Sequence, residues 1–208
     1  MSAMLTELSS AWAATSNIEV VAVVFGLFYI ILAAKENIWC WPAAFIGTGT
    51  SIYLFWDGNL YMESALNVYY LVMAIFGWWQ WQYGSRENSK LEIGSLLVKD
   101  HISIILLIAV LTLISGYLLS NNTDAALPYL DSFTTWAAVI TTWMVARKIL
   151  ENWLYWIVIN IASIYLYSER GFLLYAVLFA LYVAIAIFGY RQWRYNHLHA
   201  KSSSKKLV

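Results

Sequence analysis

Spacings of three and four residues put Trp153, Trp156, Asn160 and Ser163 on one helical stripe, and Asn67, Tyr70, Ala74 and Trp78 on another. Indole and phenol rings stack on flat ring compounds, and their faces attract a cation by about 0.5 to 2 kcal/mol each. The amide and hydroxyl groups beside them need hydrogen-bond partners wherever water is excluded. Such a set binds and orients a solute; it does not break bonds. The chain holds 12 Trp and 15 Tyr but only 12% charged residues, so the surface it can build is ring-lined and uncharged. A heteroaromatic cation carrying a sugar suits that surface, whereas a nucleotide phosphate would find no buried Arg or Lys to receive it.

Other chemistries lack their residues. His101, His197 and His199 fall near polar boundaries without Cys or carboxylate partners, so no metal site is expected, and no cofactor. No nucleophile elbow and no phosphate-cradling loop appears, which leaves no catalytic set. Gly47-x-Gly49 reads as a place of close helix approach. Glu63 reads as an interfacial carboxylate beside the positive end of its helix, and the lack of ionisable residues at mid-span argues against proton coupling. Cys40 is the single cysteine and reads as a plain thiol. Nothing suggests nucleic acid.

The elements that must position these stripes are membrane helices. Apolar residues make up 62% of the 208 positions, and a bilayer core of about 30 Å needs roughly 20 helical residues to cross. Runs of that length give seven spans, at about 19–34, 38–56, 60–83, 97–119, 127–147, 152–168 and 171–191. Continuous runs such as Ile102 to Leu119 exclude a β-barrel, which would alternate. The fifth span carries four threonines and two tryptophans between Phe133 and Ala146, and is expected to face the protein interior. Trp39, Trp41, Trp56, Trp78, Trp79, Trp81 and Trp193 lie near span ends and read as an interfacial belt.

The chain also repeats itself. Shifted by 112 positions, residues 34–83 fall on 146–195 without a gap, so that Ala74-Ile75-Phe76-Gly77-x-x-Gln80-Trp81 meets Ala186-Ile187-Phe188-Gly189-x-x-Gln192-Trp193. Trp41 meets Trp153 and Tyr70 meets Tyr182, but Thr48 meets Asn160 and Asn67 meets Phe179. A symmetric scaffold with asymmetric polar groups is what an asymmetric ligand requires. The expectation is one membrane domain over 1–208, with a three-helix repeat at 17–83, a linker helix at 97–119, a second repeat at 127–195 and a tail at 196–208. Eleven of the 12 basic residues fall on one side, with only Arg170 on the other. By the positive-inside rule the C-terminus is cytoplasmic and the N-terminus outside. The repeats are then parallel, a layout that points to a transporter with its site between the halves. Met1 to Ser16 read as an amphipathic or disordered lead-in, and the basic tail as solvated near anionic lipid heads.

With Trp153-x-x-Trp156-x-x-x-Asn160, the Asn67-x-x-Tyr70 stripe running into Gly77-Trp78-Trp79-Gln80-Trp81, and the repeated Ala-Ile-Phe-Gly-x-x-Gln-Trp, the chain from about 17 to 195 resembles the PnuC-type nicotinamide riboside transporters. The resemblance implies an all-α, SWEET-like fold of seven transmembrane helices in a 3+1+3 parallel repeat, a bacterial inner-membrane location and a homotrimer. It further implies facilitated diffusion of nicotinamide riboside, with a cytoplasmic kinase trapping the product for NAD synthesis. Trp153, Trp156 and Tyr182 would contact the ring, and Asn160, Asn67, Thr48 and Tyr70 the amide and ribose hydroxyls. Members similar to this chain carry thiamine or riboflavin, which are the alternative substrates. Two alternative classes remain: a membrane-embedded enzyme, which would need two titratable groups within hydrogen-bond reach in the core, and a channel or assembly module, which would show a continuous pore or a solid interior.

Overall fold

Apolar stretches of helical length, broken by short polar turns, give seven α-helices among the described residues. They are α1 (Asn17–Ala34), α2 (Cys40–Asp57), α3 (Tyr61–Tyr83), α4 (Val98–Asn122), α5 (Pro128–Ala146), α6 (Asn152–Glu169) and α7 (Leu173–Lys205). The computed structural model describes residues 17–57, 61–85, 91–124, 126–169 and 173–205. The lead-in over residues 1–16 and the cations Arg86, Lys90, Arg170 and Lys206 lie outside them. Each expected span falls on one helix. Three segments, Asn17–Ala34, Val98–Asn122 and Tyr175–Ala200, are long and apolar enough to cross a bilayer by length and composition. On α4 the side chains of Ile105, Leu106, Leu113 and Ile114 are more than half exposed. An apolar face of that extent meets lipid or another chain and not water.

Helix bounds follow the repeat. A shift of 112 carries Cys40–Asp57 onto Asn152–Glu169 and brings the end of α1, Ala34, onto the end of α5, Ala146. Both ends close the same way. Glu36 and Lys148 adopt left-handed backbones with φ of 54° and 51°, and beyond them Asn37 N–H donates to Leu32 O at 2.9 Å and Ile149 N–H to Met144 O at 3.0 Å. This six-residue closure satisfies carbonyls that the helix end leaves free. It turns the chain into the next helix within a few residues.

The contacts divide the chain into two compact units. The first comprises residues 1–33 and 37–78. Within it α1 and α2 approach closely, since a Cβ on Gly47 would stand 3.4 Å from the Gly26 nitrogen and from the Phe25 Cβ. Gly49 meets only Leu71 at 4.0 Å, so one of the two expected contact glycines serves that purpose. Ser64 Oγ donates to Ile52 O at 3.1 Å and ties α3 to α2.

The second unit comprises residues 34–36 and 79–208. Here α4 packs along α5, with Gly116 against the Tyr129 ring and Trp136 Nε1 donating to Ser115 Oγ at 3.0 Å. Ile108, Ala137 and Ile159 form its buried apolar cluster. The connector ahead of α4 is pinned to the α5–α6 turn: Gly94 N–H donates to Lys148 O at 3.0 Å, Leu150 N–H to Gly94 O at 2.8 Å, and the Glu151 carboxylate accepts from Ser95 Oγ and Leu96 N. In the same unit Lys148 Nζ lies 3.1 Å from Glu36 Oε2 and 4.6 Å from the centre of the Trp81 ring, and Asn196 Nδ2 donates to Glu36 Oε1.

No Gly or Pro interrupts residues 190–205, and α7 runs on to Lys205. His197 there pairs through Nδ1 with Ile93 O at 2.6 Å. The expected tryptophan belt splits. Trp39, Trp56 and Trp79 are 63%, 65% and 54% exposed, as a belt requires, but Trp41, Trp81 and Trp193 are 2%, 4% and 0% exposed. These three fill the protein interior.

Candidate solute-binding site

The site's local frame is the α5–α6 hairpin of the second unit. Pro128 opens α5 in its first turn, where a missing N–H costs nothing. The left-handed Lys148 then reverses the chain into α6, so the threonine face of α5 and the tryptophan face of α6 belong to one antiparallel pair. As expected of the Thr-rich span, Ser132, Thr134, Thr141 and Thr142 are all buried. On α6, Trp153, Asn160 and Ser163 are buried, while Trp156 packs partly against the Ile108, Ala137 and Ile159 cluster.

Trp153 is held from two sides. Its indole lies across Gly189 of α7, where a Cβ would come within 2.8 Å of three ring atoms. It also meets Trp193 edge to face, with centroids 5.5 Å apart at 86°. That explains the glycine of the repeated Ala-Ile-Phe-Gly motif. The first unit uses the same device, with Trp41 across Gly77, where a Cβ would come within 2.3 Å of two ring atoms.

Several buried polar atoms of this region lack hydrogen-bond partners. Trp153 Nε1, Asn160 Nδ2, Thr141 Oγ1, Asn152 Oδ1 and Ser132 Oγ make no hydrogen bond among the described residues. Leaving such a group unsatisfied costs about 1 to 3 kcal/mol, so their presence along one helical hairpin calls for ligand or water partners. Tyr182 on α7 stands at one end of an aromatic column. It meets Phe179 at 5.9 Å and 87°, Phe179 stacks on Tyr167 at 5.2 Å, and Tyr167 stacks on Tyr175 at 5.3 Å.

The first unit's candidates are occupied differently. Thr48 Oγ1 donates to Ala44 O at 2.7 Å and Asn67 Nδ2 to Glu63 O at 2.9 Å, each returning its hydrogen bond to its own helix. Tyr70 meets Tyr69 at 5.5 Å. Trp153, Trp156, Asn160 and Tyr182 thus share the second unit, and Thr48, Asn67 and Tyr70 the first.

Sequence reasoning missed Thr141 and Ser132 as individual residues, although the threonine content of their span was the signal. It also missed the Glu36 and Lys148 pair, whose members are equivalent under the 112-residue shift and of opposite charge. Among the described residues no group of three His, Cys, Asp or Glu side chains could hold a metal ion. His101 is engaged by Tyr155, ring stacked on ring at 5.8 Å with Nδ1 2.9 Å from the phenol oxygen.

Comparison with known proteins agrees with this architecture. Residues 16–195 match the family described as Nicotinamide mononucleotide transporter. The nicotinamide riboside transporter PnuC of Escherichia coli is 24% identical, with 86% of this chain and 85% of that protein covered. PnuC of Haemophilus influenzae is 26% identical over 81% and 75%. The riboflavin/roseoflavin transporter RibM of Streptomyces davaonensis is 21% identical over 84% and 83%. The crystal structure of the vitamin B3 transporter PnuC superposes with a TM-score of 0.72 at 21% identity, covering 94% of this chain and 88% of that one.

Proposed function

The chain belongs to the nicotinamide mononucleotide transporter family, a family of membrane transporters, and from that premise we propose that it carries nicotinamide riboside into the cell by facilitated diffusion. The observation that carries this reading is the unpaired buried amide of Asn160 on the stripe that also bears Trp153 and Trp156. An indole pair offers faces to a pyridinium ring, and the free amide offers its donors to the carboxamide or a ribose hydroxyl. Tyr182 extends the ring surface, and Asn67, Tyr70 and Thr48 complete the proposed set of substrate-binding residues.

Charge favours the nucleoside over its phosphate. Among the described residues the buried cation is Lys148, and it is committed to Glu36 at 3.1 Å in the turns beyond α1 and α5. A phosphate would have no cation to replace its water. That pair sits outside the helical stripes and serves neither acid–base chemistry nor mid-span coupling, which agrees with uniport. The relative RibM supports a second reading, in which riboflavin is the solute.

The finer architecture belongs to the same proposal: a SWEET-like 3+1+3 arrangement of parallel repeats, a homotrimer in the bacterial inner membrane with the C-terminus cytoplasmic, rocking of one repeat against the other, and trapping of the product by a cytoplasmic kinase. Coincident helix bounds and matching left-handed turns support the repeat. Uptake into proteoliposomes of nicotinamide riboside, its 5′-phosphate, thiamine and riboflavin tests the substrate. The riboside alone is expected to cross; entry of the phosphate at equal rate would sink the reading. Asn160→Leu is expected to lower riboside affinity about tenfold or more, the worth of one to two hydrogen bonds, at unchanged protein level. Normal uptake by that variant would remove Asn160 from the site.

A further inference from the structure

The two units build one joint from different side chains. In the first, the Tyr29 ring of α1 lies 6.0 Å from the Trp41 indole, which in turn crosses Gly77. In the second, Trp153 crosses Gly189 in the same manner, but the position 112 residues beyond Tyr29 is Thr141. A phenol ring beside the indole in one unit corresponds in sequence to a threonine in the other.

The threonine is also unusual in its bonding. A helical Ser or Thr commonly returns its hydroxyl to the carbonyl one turn back, as Thr142 does to Ala138 O at 2.8 Å and Thr48 to Ala44 O at 2.7 Å. Thr141 is 0% exposed, and its Oγ1 bonds to nothing among the described residues. Trp153 Nε1 and Asn160 Nδ2 share that condition on the neighbouring helix, whereas Thr48, the first unit's counterpart of Asn160, has its hydroxyl satisfied.

We infer that Thr141 is the specificity-determining residue of the solute site: by standing where its counterpart bears a phenol it leaves the Trp153 indole to the solute's flat ring, and its hydroxyl bonds to a polar substituent of that solute. The inference rests on the reading of the second unit as the solute site, and it adds a ligand contact that fixes the size of ring accepted. A threonine here admits a ring; a tyrosine fills its place.

The test uses the full chain in proteoliposomes, with riboside uptake, tryptophan-fluorescence titration and thermal melting measured on Thr141→Val, Thr141→Ser and Thr141→Tyr. Thr141→Val keeps the shape and removes the hydroxyl. Its KM is expected to rise about five- to tenfold with Vmax unchanged, as loss of one neutral hydrogen bond implies. Its solute-free melting temperature is expected to stay level or rise, because an unsatisfied buried hydroxyl has been replaced by a methyl group. Thr141→Ser should retain the wild-type KM. Thr141→Tyr should abolish quenching and uptake while melting as a folded protein. An unchanged KM in Thr141→Val overturns the assignment, as does a folded Thr141→Tyr protein that transports normally. If Thr141→Tyr does not fold, the Val and Ser pair decides. A wild-type protein that carries riboflavin and no riboside refutes the substrate reading instead. The same variants are then scored against riboflavin, where an unchanged KM in Thr141→Val again overturns the role of Thr141.

Discussion

Gly77→Ala is expected to destabilise the protein although alanine is the better helix former. Alanine gains about 1 kcal/mol of helix propensity over glycine, but its Cβ would stand 2.3 Å from two atoms of the Trp41 indole and 2.5 Å from a third. Indole is rigid, so the ring or the helix must move. Overpacking of this kind costs about 1 to 3 kcal/mol, and a clash this deep belongs at the upper end, leaving a net loss of about 2 kcal/mol. At Gly189 the corresponding approach is 2.8 Å to three atoms of Trp153, so the stability loss is expected to be smaller. Displacement of Trp153 adds a second effect there, a loss of riboside affinity that Gly77→Ala does not share. Melting curves in detergent and tryptophan quenching on both variants check this. Trp41→Phe in the Gly77→Ala background should recover part of the stability, because the smaller ring vacates the space. Two variants that melt like the wild type would show that the glycines are not packing sites.

The second large effect is expected at Lys148. Its ammonium lies 3.1 Å from Glu36 Oε2, with side chains only 8% and 19% exposed, and sits 4.6 Å over the Trp81 ring. Lys148→Glu sets two carboxylates side by side in a buried turn. Breaking a buried pair typically costs about 3 to 5 kcal/mol, and partial hydration of Glu36 reduces that to roughly 2 to 4 kcal/mol here. The exchange Glu36→Lys with Lys148→Glu restores opposite charges but not the cation over Trp81, worth about 0.5 to 2 kcal/mol. Recovery is therefore expected to be incomplete. Thermal melting of the two single variants and the exchange, analysed as a double-mutant cycle, checks this. Equal melting of Lys148→Glu and wild type would show that the pair contributes nothing.

What each residue does could be read ahead of the structure to unequal degrees. The number of helices, their ends to within a few residues except for α7, which runs past 191 to Lys205, and the interior face of the Thr-rich span were legible, because hydropathy and span length are properties of contiguous sequence. The repeat was legible for the same reason. Its Gly77 and Gly189 were visible as a motif, but their purpose was not, since the indole each one accommodates comes from another helix. Trp41, Trp81 and Trp193 were misread as belt residues because position along a span gives depth in the membrane and says nothing of the direction a side chain faces. Lys148 was legible as a cation of the turn after α5, but its burial against Glu36 was not, for the same reason.

Composition and spacing suffice for an apolar seven-helix chain with an internal similarity at an offset of 112 residues and a stripe of rings and amides on its sixth helix. These follow from spacing and composition along a single strand of covalent bonds. Tertiary contacts, by contrast, set which tryptophans are interior, pair Glu36 with Lys148, and leave Trp153, Asn160 and Thr141 with buried, unpaired polar atoms. Hydrogen-bond satisfaction is settled by neighbours distant in sequence, and no pattern along the chain records whether a buried donor has found its acceptor.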